Sequence, residues 1–209
     1  MRKGAAMCVS YVVYDGIFDA GDFGISEVYE AYFERTVHPK RDDMQVYPGH
    51  AAPVIARSRG GKPYVYSMKF GFGGKKGSRD SLNARVETAA VKPTFAESWK
   101  TRRCIVPASS YTEWETLTDE ETGKPQKQKW AIFHSREEAL WMCGLYCIRD
   151  GIGRFVILTQ DAAEELSFIH DRMPVILPHQ EILNWIDPAA DPEETLKYRL
   201  MDHFCCEPD

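Results

Sequence analysis

Leu140-Trp141-Met142-Cys143-Gly144-Leu145-Tyr146-Cys147 runs for eight residues without a charge, and the polar Arg149-Asp150-Gly151 follows shortly after. A short uncharged run closed by a turn signal reads as a buried strand, with Cys143 and Cys147 as core thiols. Outward from it, residues 155–158, 130–133, 111–114 and 104–106 show the same short apolar pattern. Residues 116–128 are polar and hold Gly123 and Pro125, which predicts a hairpin loop. Further upstream, residues 64–70 read as a strand leading into a glycine-rich loop at 71–77. Pro48-Gly49 marks a turn before a short strand around Val54-Ile55, and residues 9–14 read as a first strand. Helical spacing is confined to 25–33, 95–99 and 162–168, and Asp191-Pro192-Glu193-Glu194 has the form of a helix start. Many short strands with few helices predict an α+β fold: a single domain with a curved, mostly antiparallel sheet or open barrel and flanking helices.

With 209 residues, 44% of them hydrophobic, the chain can form a core without disulfides or metals. No apolar run approaches the roughly 20 residues of a membrane span. The segment before Cys8 has a basic start but no apolar stretch behind it, so no secretory signal is expected. Cytoplasmic thiols are the expectation for all six cysteines, and no C-x-x-C pair suggests zinc. His203, Cys205 and Cys206 are expected at a frayed C-terminus with no metal role.

Met7 alters the reading of the first residues. Lys3-Gly4 is encoded by AAR-GGN, a purine run resembling a bacterial ribosome-binding sequence, and two Ala codons separate it from Met7. Translation is therefore expected to begin at Met7, with residues 1–7 a leader or start-site artefact and 8–209 the folded domain. Removal of Met7 would make Cys8 the N-terminal residue.

Four places could carry chemistry: Cys8; the polar segment Asn83-Ala84-Arg85-Val86-Glu87-Thr88; Glu113-Trp114 at a strand end; and His170-Asp171-Arg172-Met173-Pro174. Each has an ordinary structural reading when taken singly. A cysteine near a chain end is a small residue, Asn83 could cap a helix, Glu113 could be solvated or ion-paired, and His170 could belong to a turn. In this order, and with Arg103-Cys104-Ile105-Val106-Pro107-Ala108, Tyr111-Thr112-Glu113-Trp114, Gly144-Leu145-Tyr146 and Ile157-Leu158-Thr159 between them, the chain resembles the SRAP (SOS-response-associated peptidase) family. The matching pieces run from the start to about Leu177.

That resemblance implies a protein that binds single-stranded DNA at abasic sites and cross-links to them through an N-terminal cysteine. It implies a catalytic set of Cys8, Asn83, Glu113 and His170, with Arg85 on a DNA phosphate, and self-removal of residues ahead of the cysteine. Lys75, Lys76, Arg103 and Arg172 join Arg85 as expected DNA contacts. No cofactor or metal is expected, a monomer is, and on DNA the protein would be nucleoid-associated.

The chemistry follows from the groups themselves. An N-terminal cysteine offers an amine and a thiol on adjacent carbons. The amine condenses with the abasic aldehyde to a Schiff base, and the thiol closes it to a five-membered thiazolidine. An internal cysteine has only an amide nitrogen, so exposure of Cys8 is a strict requirement. Imidazole ordinarily titrates near neutral pH, which suits His170 to proton transfer at the sugar oxygen. Glu113 can deprotonate the ammonium, and the Asn83 amide can orient amine or hydroxyl. An imine that is not closed by the thiol permits β-elimination, hence an abasic-site lyase side activity.

Several positions depart from the family. Val9-Ser10 replace Gly-Arg after the cysteine. Phe70-Gly71 stand where the family has Trp-Gly, and Gly74 and Lys76 fall where a Pro and a second Trp occur. Ser109-Ser110 replace Asp-Gly, Thr112 replaces a Tyr, and Gln45 replaces an Asn. Lys75 and Lys76 would then supply charge in place of a stacking aromatic.

Three other readings compete: a cysteine peptidase using Cys104 or Cys8 with His170, a non-catalytic single-stranded DNA-binding module, and a metal enzyme built on His38, His50 or His134. Cys104 lies in an apolar strand, and no metal-ligand spacing supports the histidines. The net charge of −5 and pI of about 5.7 argue at first against any nucleic-acid reading. Yet between Arg57 and Arg103 twelve basic residues face only Asp80, Glu87 and Glu97, a local +9 that leaves −14 on the remainder. This distribution predicts a basic DNA face on an acidic body.

Overall fold

The structure is a computed structural model that describes residues 10–14, 43–73 and 80–209. The expected helix at 25–33 and the residues Cys8, His38, Lys75 and Lys76 lie outside the described residues.

Two sheets share the core. The strands are β1 (Ser10–Tyr14), β2 (Asp43–Val46), β3 (Ala51–Arg57), β4 (Pro63–Phe70), β5 (Asn83–Arg85), β6 (Arg103–Ala108), β7 (Ser110–Thr118), β8 (Pro125–His134), β9 (Leu140–Arg149), β10 (Ile152–Asp161), β11 (Arg172–Pro174), β12 (Ile176–Leu177) and β13 (Phe204–Pro208). Short helices are α1 (Val86–Ala89), α2 (Ala96–Thr101), α3 (Ile182–Ile186) and α4 (Pro192–Thr195). One sheet is antiparallel in the order β13-β8-β7-β1-β2; the other runs β11-β10-β4-β3-β6-β9-β12. Because β10 also pairs with β9, the strands β10-β4-β3-β6-β9 form a closed ring, and closure leaves these strands no free edge.

The composition of the ring strands follows from their position. All six residues of β6 and five successive residues of β3 are buried, the continuous apolar pattern of strands covered on both faces. β3 and β6 pair only at Ile55↔Ile105 and Ala56↔Cys104. Continuing that register would set Pro53 against Pro107, two residues with no N–H to donate, so the ladder stops there. Past this point the chain bends at Ser109, whose amide donates to the Val12 carbonyl at 2.8 Å, and enters the other sheet as β7. One continuous run, β6 into β7, thus delivers Glu113 to the junction of the two sheets.

Aromatic packing closes that junction. Tyr11 of β1 meets Phe70 of β4 edge-on at 5.9 Å, and Phe70 stacks on Phe155 of β10 at 5.0 Å. On the outside, Arg103 anchors α2 and α3 to the ring. Its guanidinium donates to the carbonyls of Trp185 (2.7 Å), Trp99 (2.8 Å), Lys100, Asp187 and Ala190 (2.9 Å).

The α+β expectation holds, as does a single domain built on curved, mostly antiparallel sheet; the closed ring goes further than the expected open barrel. Three local expectations need correction. The predicted loop at 116–128 is mostly paired strand, with Glu115↔Gln128 through Thr118↔Pro125, because its alternating Thr and Gln residues pair as well as apolar ones do on a solvated face. The C-terminus is not frayed: β13 pairs with β8 from Phe204↔His134 to Pro208↔Trp130. Residues 162–168 form only a short 3-10 turn, Glu164–Leu166.

Gly144 lies where β6, β9 and β10 meet. A Cβ there would stand 2.9 Å from the Cys104 sulfur, 3.0 Å from the Val156 carbonyl and 3.1 Å from Val106. Gly144→Ala should therefore lower unfolding stability by about 1–3 kcal/mol in urea titration. Gly60→Ala, with only Ser58 at 3.8 Å, should stay within about 0.5 kcal/mol of wild type.

Candidate active site

β10 carries the two most distinctive sequence segments on its two edges. Its first half closes the ring against β9 and β4. Its second half pairs with β5 on one edge, Ile157↔Asn83 through Thr159↔Arg85, and with β11 on the other, Thr159↔Pro174 through Asp161↔Arg172. Thr159 is therefore opposite Arg85 on one side and Pro174 on the other. Asn83 is part of a strand rather than a helix cap. The capping position before α1 belongs to Arg85, whose side chain makes no cap.

A side-chain bridge then spans β10. Arg172 donates to both oxygens of Glu87, at 2.7 and 2.9 Å, to Asp161 at 2.5 Å and to the Thr159 carbonyl at 2.8 Å. Its side chain is only 10% exposed. This bidentate geometry is the strong form of an arginine–carboxylate contact. It joins Asn-Ala-Arg-Val-Glu-Thr to His-Asp-Arg-Met-Pro directly.

His170 is half-buried at the end of the 3-10 turn, with its amide on the Leu166 carbonyl at 3.3 Å. Its Nδ1 accepts the Arg172 amide proton at 3.0 Å, which places the proton of the neutral ring on Nε2. The Asp171 carboxylate stands 2.9 Å from the same Nδ1.

Glu113 is 3% exposed on β7. A carboxylate this buried is costly unless its surroundings compensate it, which makes Glu113 a candidate site residue. It lies opposite Trp130 of β8, and Trp130 packs edge-on against Phe168 at 5.6 Å, two residues before His170. The His170 turn is thereby held against the sheet that carries Glu113. On the other side of β7, Ser10 is in register with Thr112, and their hydroxyls are 2.5 Å apart.

The structure sorts the expected cations. Arg85 is exposed, and among the described residues no carboxylate is within ion-pair distance of it. Arg103 is 3% exposed with its guanidinium on carbonyls, so the expectation that it contacts DNA is corrected: it is a structural arginine. Arg172 is corrected likewise, because Glu87, Asp161 and Thr159 occupy both of its terminal nitrogens. Glu87 was missed as a functional group, although opposite charges in the two most specific segments were a visible signal.

The same geometry bears on Cys104 and on two of the histidines of the competing readings. Burial pushes the thiols of Cys104 and Cys143 far above the ordinary cysteine range, which leaves Cys104 without thiolate character for peptidase chemistry. His134 accepts the amides of Arg136 and Glu137 on Nδ1 and places Nε2 3.0 Å from the Asp202 carbonyl. His50 packs edge-on against Tyr47. Among the described residues no group of three or more His, Cys, Asp or Glu could hold a metal ion, and no helix is long and apolar enough to cross a membrane.

The sequence description of the family SOS response associated peptidase (SRAP) matches residues 7–206, and the chain belongs to that family. The abasic site processing protein YoaM of Bacillus subtilis is 28% identical, with 94% of this chain and 86% of that protein covered. YobE of the same organism, also called an abasic site processing protein, is 36% identical over 58% of this chain and 56% of its own length. A solved protein structure from Bacteroides thetaiotaomicron has the same fold, with a TM-score of 0.72 at 21% identity, covering 96% of this chain and 91% of that one.

Hydrogen bonding from Arg172 is the main influence holding the Glu87 carboxyl below its ordinary range. A depressed carboxyl stabilises the fold above its unfolded value and loses that contribution as pH falls through the folded one. At pH 7, Glu87→Gln should be less stable than wild type by about 1 kcal/mol in urea titration. The gap should begin to close below pH 4.5, the ordinary value of this group. A gap that does not change with pH would mean that the ion pair is not its source.

Proposed function

We propose that this protein processes abasic sites in single-stranded DNA by joining Cys8 covalently to the abasic sugar. The observation that carries this reading is the Arg172–Glu87 bridge, which fixes the Asn83 and His170 segments on the two edges of β10. The relatives named for abasic site processing support it. Cys8 is separated from Ser10 by the single residue Val9, a reach of roughly 7 Å, and Ser10 pairs with the neighbour of Glu113. The family match begins at Met7, immediately before Cys8.

Each group has a role in that reaction. Arg85 holds a phosphate next to the abasic position. His170 donates from Nε2 to the sugar oxygen as the ring opens to its aldehyde. Glu113 takes the proton from the Cys8 ammonium, and Asn83 orients the amine against the aldehyde carbon. The amine adds to that carbon, and the resulting hydroxyl leaves as water to form the imine. The thiol then adds across the C=N bond, sulfur to carbon and proton to nitrogen. Aldehyde and aminothiol become thiazolidine and one water, with no oxidant or reductant. Residues ahead of Cys8 must be removed first, because an amide nitrogen cannot form the imine. An imine left open loses the 3′ phosphate by β-elimination, a lyase side reaction. The setting is the cytoplasm, at the nucleoid when DNA-bound.

The test is incubation with a single-stranded oligonucleotide containing an abasic site, followed by denaturing electrophoresis, with exposure of residue 8 checked by intact mass in the same sample. Wild type should form a heat-stable adduct. Cys8→Ala with a free terminal amine should lose that adduct and keep some strand cleavage. A wild-type yield of heat-stable adduct from Cys8→Ala would overturn the thiazolidine mechanism.

A further inference from the structure

The ring has a second mouth, at the end away from β5 and β11. There β3 ends at Arg57, β4 begins at Pro63, β6 begins at Arg103, and β9 and β10 turn through residues 149–152. A cleft of about 440 Å³ opens at this mouth, lined by Arg57, Ser58, Arg59, Gly61, Tyr146 and Asp187 among others.

Three tyrosines gather here. Tyr64 and Tyr66 share one face of β4, with ring centroids 4.9 Å apart and planes at 60°. Tyr64 is 44% exposed, while Tyr66 and Tyr146 are half-buried. Burial pushes the phenols of Tyr66 and Tyr146 up, with a further rise from Tyr64 for the first and from Cys104 and Tyr66 for the second, so they remain neutral hydrogen-bond donors. Arg59 lies close enough to Tyr66, and Arg102 to Tyr146, to oppose that rise.

The cations at the mouth divide sharply. Arg57 is paired with Asp187, Arg102 with Glu97 at 2.8 Å, and Arg103 is held by carbonyls. Arg59 and Lys62 are exposed, and among the described residues neither has an acidic partner. Both project from the tight turn between β3 and β4. That turn is fixed by the Ser58 amide on the Lys62 carbonyl at 2.7 Å, the Gly61 amide on the Ser58 carbonyl at 2.9 Å, and a φ of +81° at Gly61. A rigid turn therefore presents two uncompensated positive charges beside an exposed aromatic ring and neutral phenol donors. That combination recognises unstacked bases on a phosphodiester backbone.

We infer that the mouth around Tyr64, Arg59 and Lys62 is a second contact for single-stranded DNA, holding the strand that leaves the abasic site. The basic segment from Arg57 to Arg103 begins and ends at this mouth and includes the exposed Arg85. β6, at about 3.3 Å per residue over six residues, sets the two ends of the ring roughly 20 Å apart. A few nucleotides span that distance. Tyr64 stacks on a base, Arg59 and Lys62 meet phosphates, and Tyr146 donates from the floor. The inference rests on the single-stranded DNA reading above.

The experiment measures wild-type binding by fluorescence anisotropy to abasic-site oligonucleotides of about 5 and about 15 nucleotides, the longer extended on either the 5′ or the 3′ side. In these oligonucleotides the abasic sugar is a tetrahydrofuran analogue with no aldehyde, so that neither imine nor thiazolidine forms and only reversible binding is read. The extension on one side should tighten binding. Tyr64→Ala should weaken binding of that longer oligonucleotide roughly tenfold and leave the short one unchanged, while Tyr64→Phe keeps the affinity. Arg59→Ala should lower the slope of log affinity against log salt by roughly 0.7 for the longer strand only. Equal affinity for both lengths, or an unchanged long-strand affinity in Tyr64→Ala, would overturn the inference. Loss of binding to both lengths in a folded Tyr64→Ala would overturn it too, by showing no separate contact. A failure of the abasic-site reading itself is distinguishable: it appears as the absence of any adduct between protein with Cys8 exposed and a short oligonucleotide whose abasic sugar keeps its aldehyde.

Discussion

Arg172 reaches across the second half of β10 and holds both oxygens of Glu87. The two residues are 85 positions apart in the chain, and no continuous strand or helix connects them. β5 and β11 are three residues each, too short to fix their own register on β10 by backbone pairing alone. The bridge supplies what the short ladders lack. It ties the strand that carries Asn83 to the turn that carries His170, and the Arg172 amide at the same time fixes the His170 tautomer. An arginine that is nearly buried and shared between two carboxylates and a carbonyl resists substitution by lysine, which has no bidentate fork. The rest of the site follows from two other constraints: the opposed prolines that turn β6 into β7, and the Trp130–Phe168 contact that sets the His170 turn beside the sheet of Glu113.

Charge is organised on the same plan. The protein is acidic as a whole, yet its basic residues concentrate between Arg57 and Arg103. The structure separates those cations by task. Arg103 ties helices to the ring and Arg57 pairs with Asp187, while Arg85, Arg59 and Lys62 stay exposed without acidic partners among the described residues. Under the proposed function, few available cations on an acidic body would give a weak, salt-sensitive encounter with DNA. In the proposed reaction the covalent bond, rather than affinity, makes the complex last.

Much of this fold was legible in the sequence because its strands are buried on both faces. The runs at 104–106, 140–147 and 155–158 each fall inside an observed strand, and Asp191 caps α4 by accepting the Glu193 amide at 2.9 Å. Solvated strands escaped notice, since residues 115–118 and 125–129 carry polar side chains that look like a loop until their partner strand is known. Ring closure was also hidden, because it depends on β10 meeting both β4 and β9, and no local pattern encodes that. The segments around Asn83 and His170 were legible as segments, and the structure brings them to the two edges of one strand. The assignments failed for Arg103 and Arg172, because burial alone distinguishes an arginine that meets phosphate from one that caps carbonyls or bridges carboxylates.

The central claim of the proposal is that the amine and thiol of Cys8 form the covalent bond to the abasic sugar. The most direct measurement is mass spectrometric mapping of the wild-type adduct after nuclease and protease digestion. The account predicts that the sugar remnant resides on the peptide beginning at Cys8, at the combined mass of peptide and aldehyde less one water, without added reductant. A remnant on a lysine, or one seen only after borohydride trapping, would contradict it.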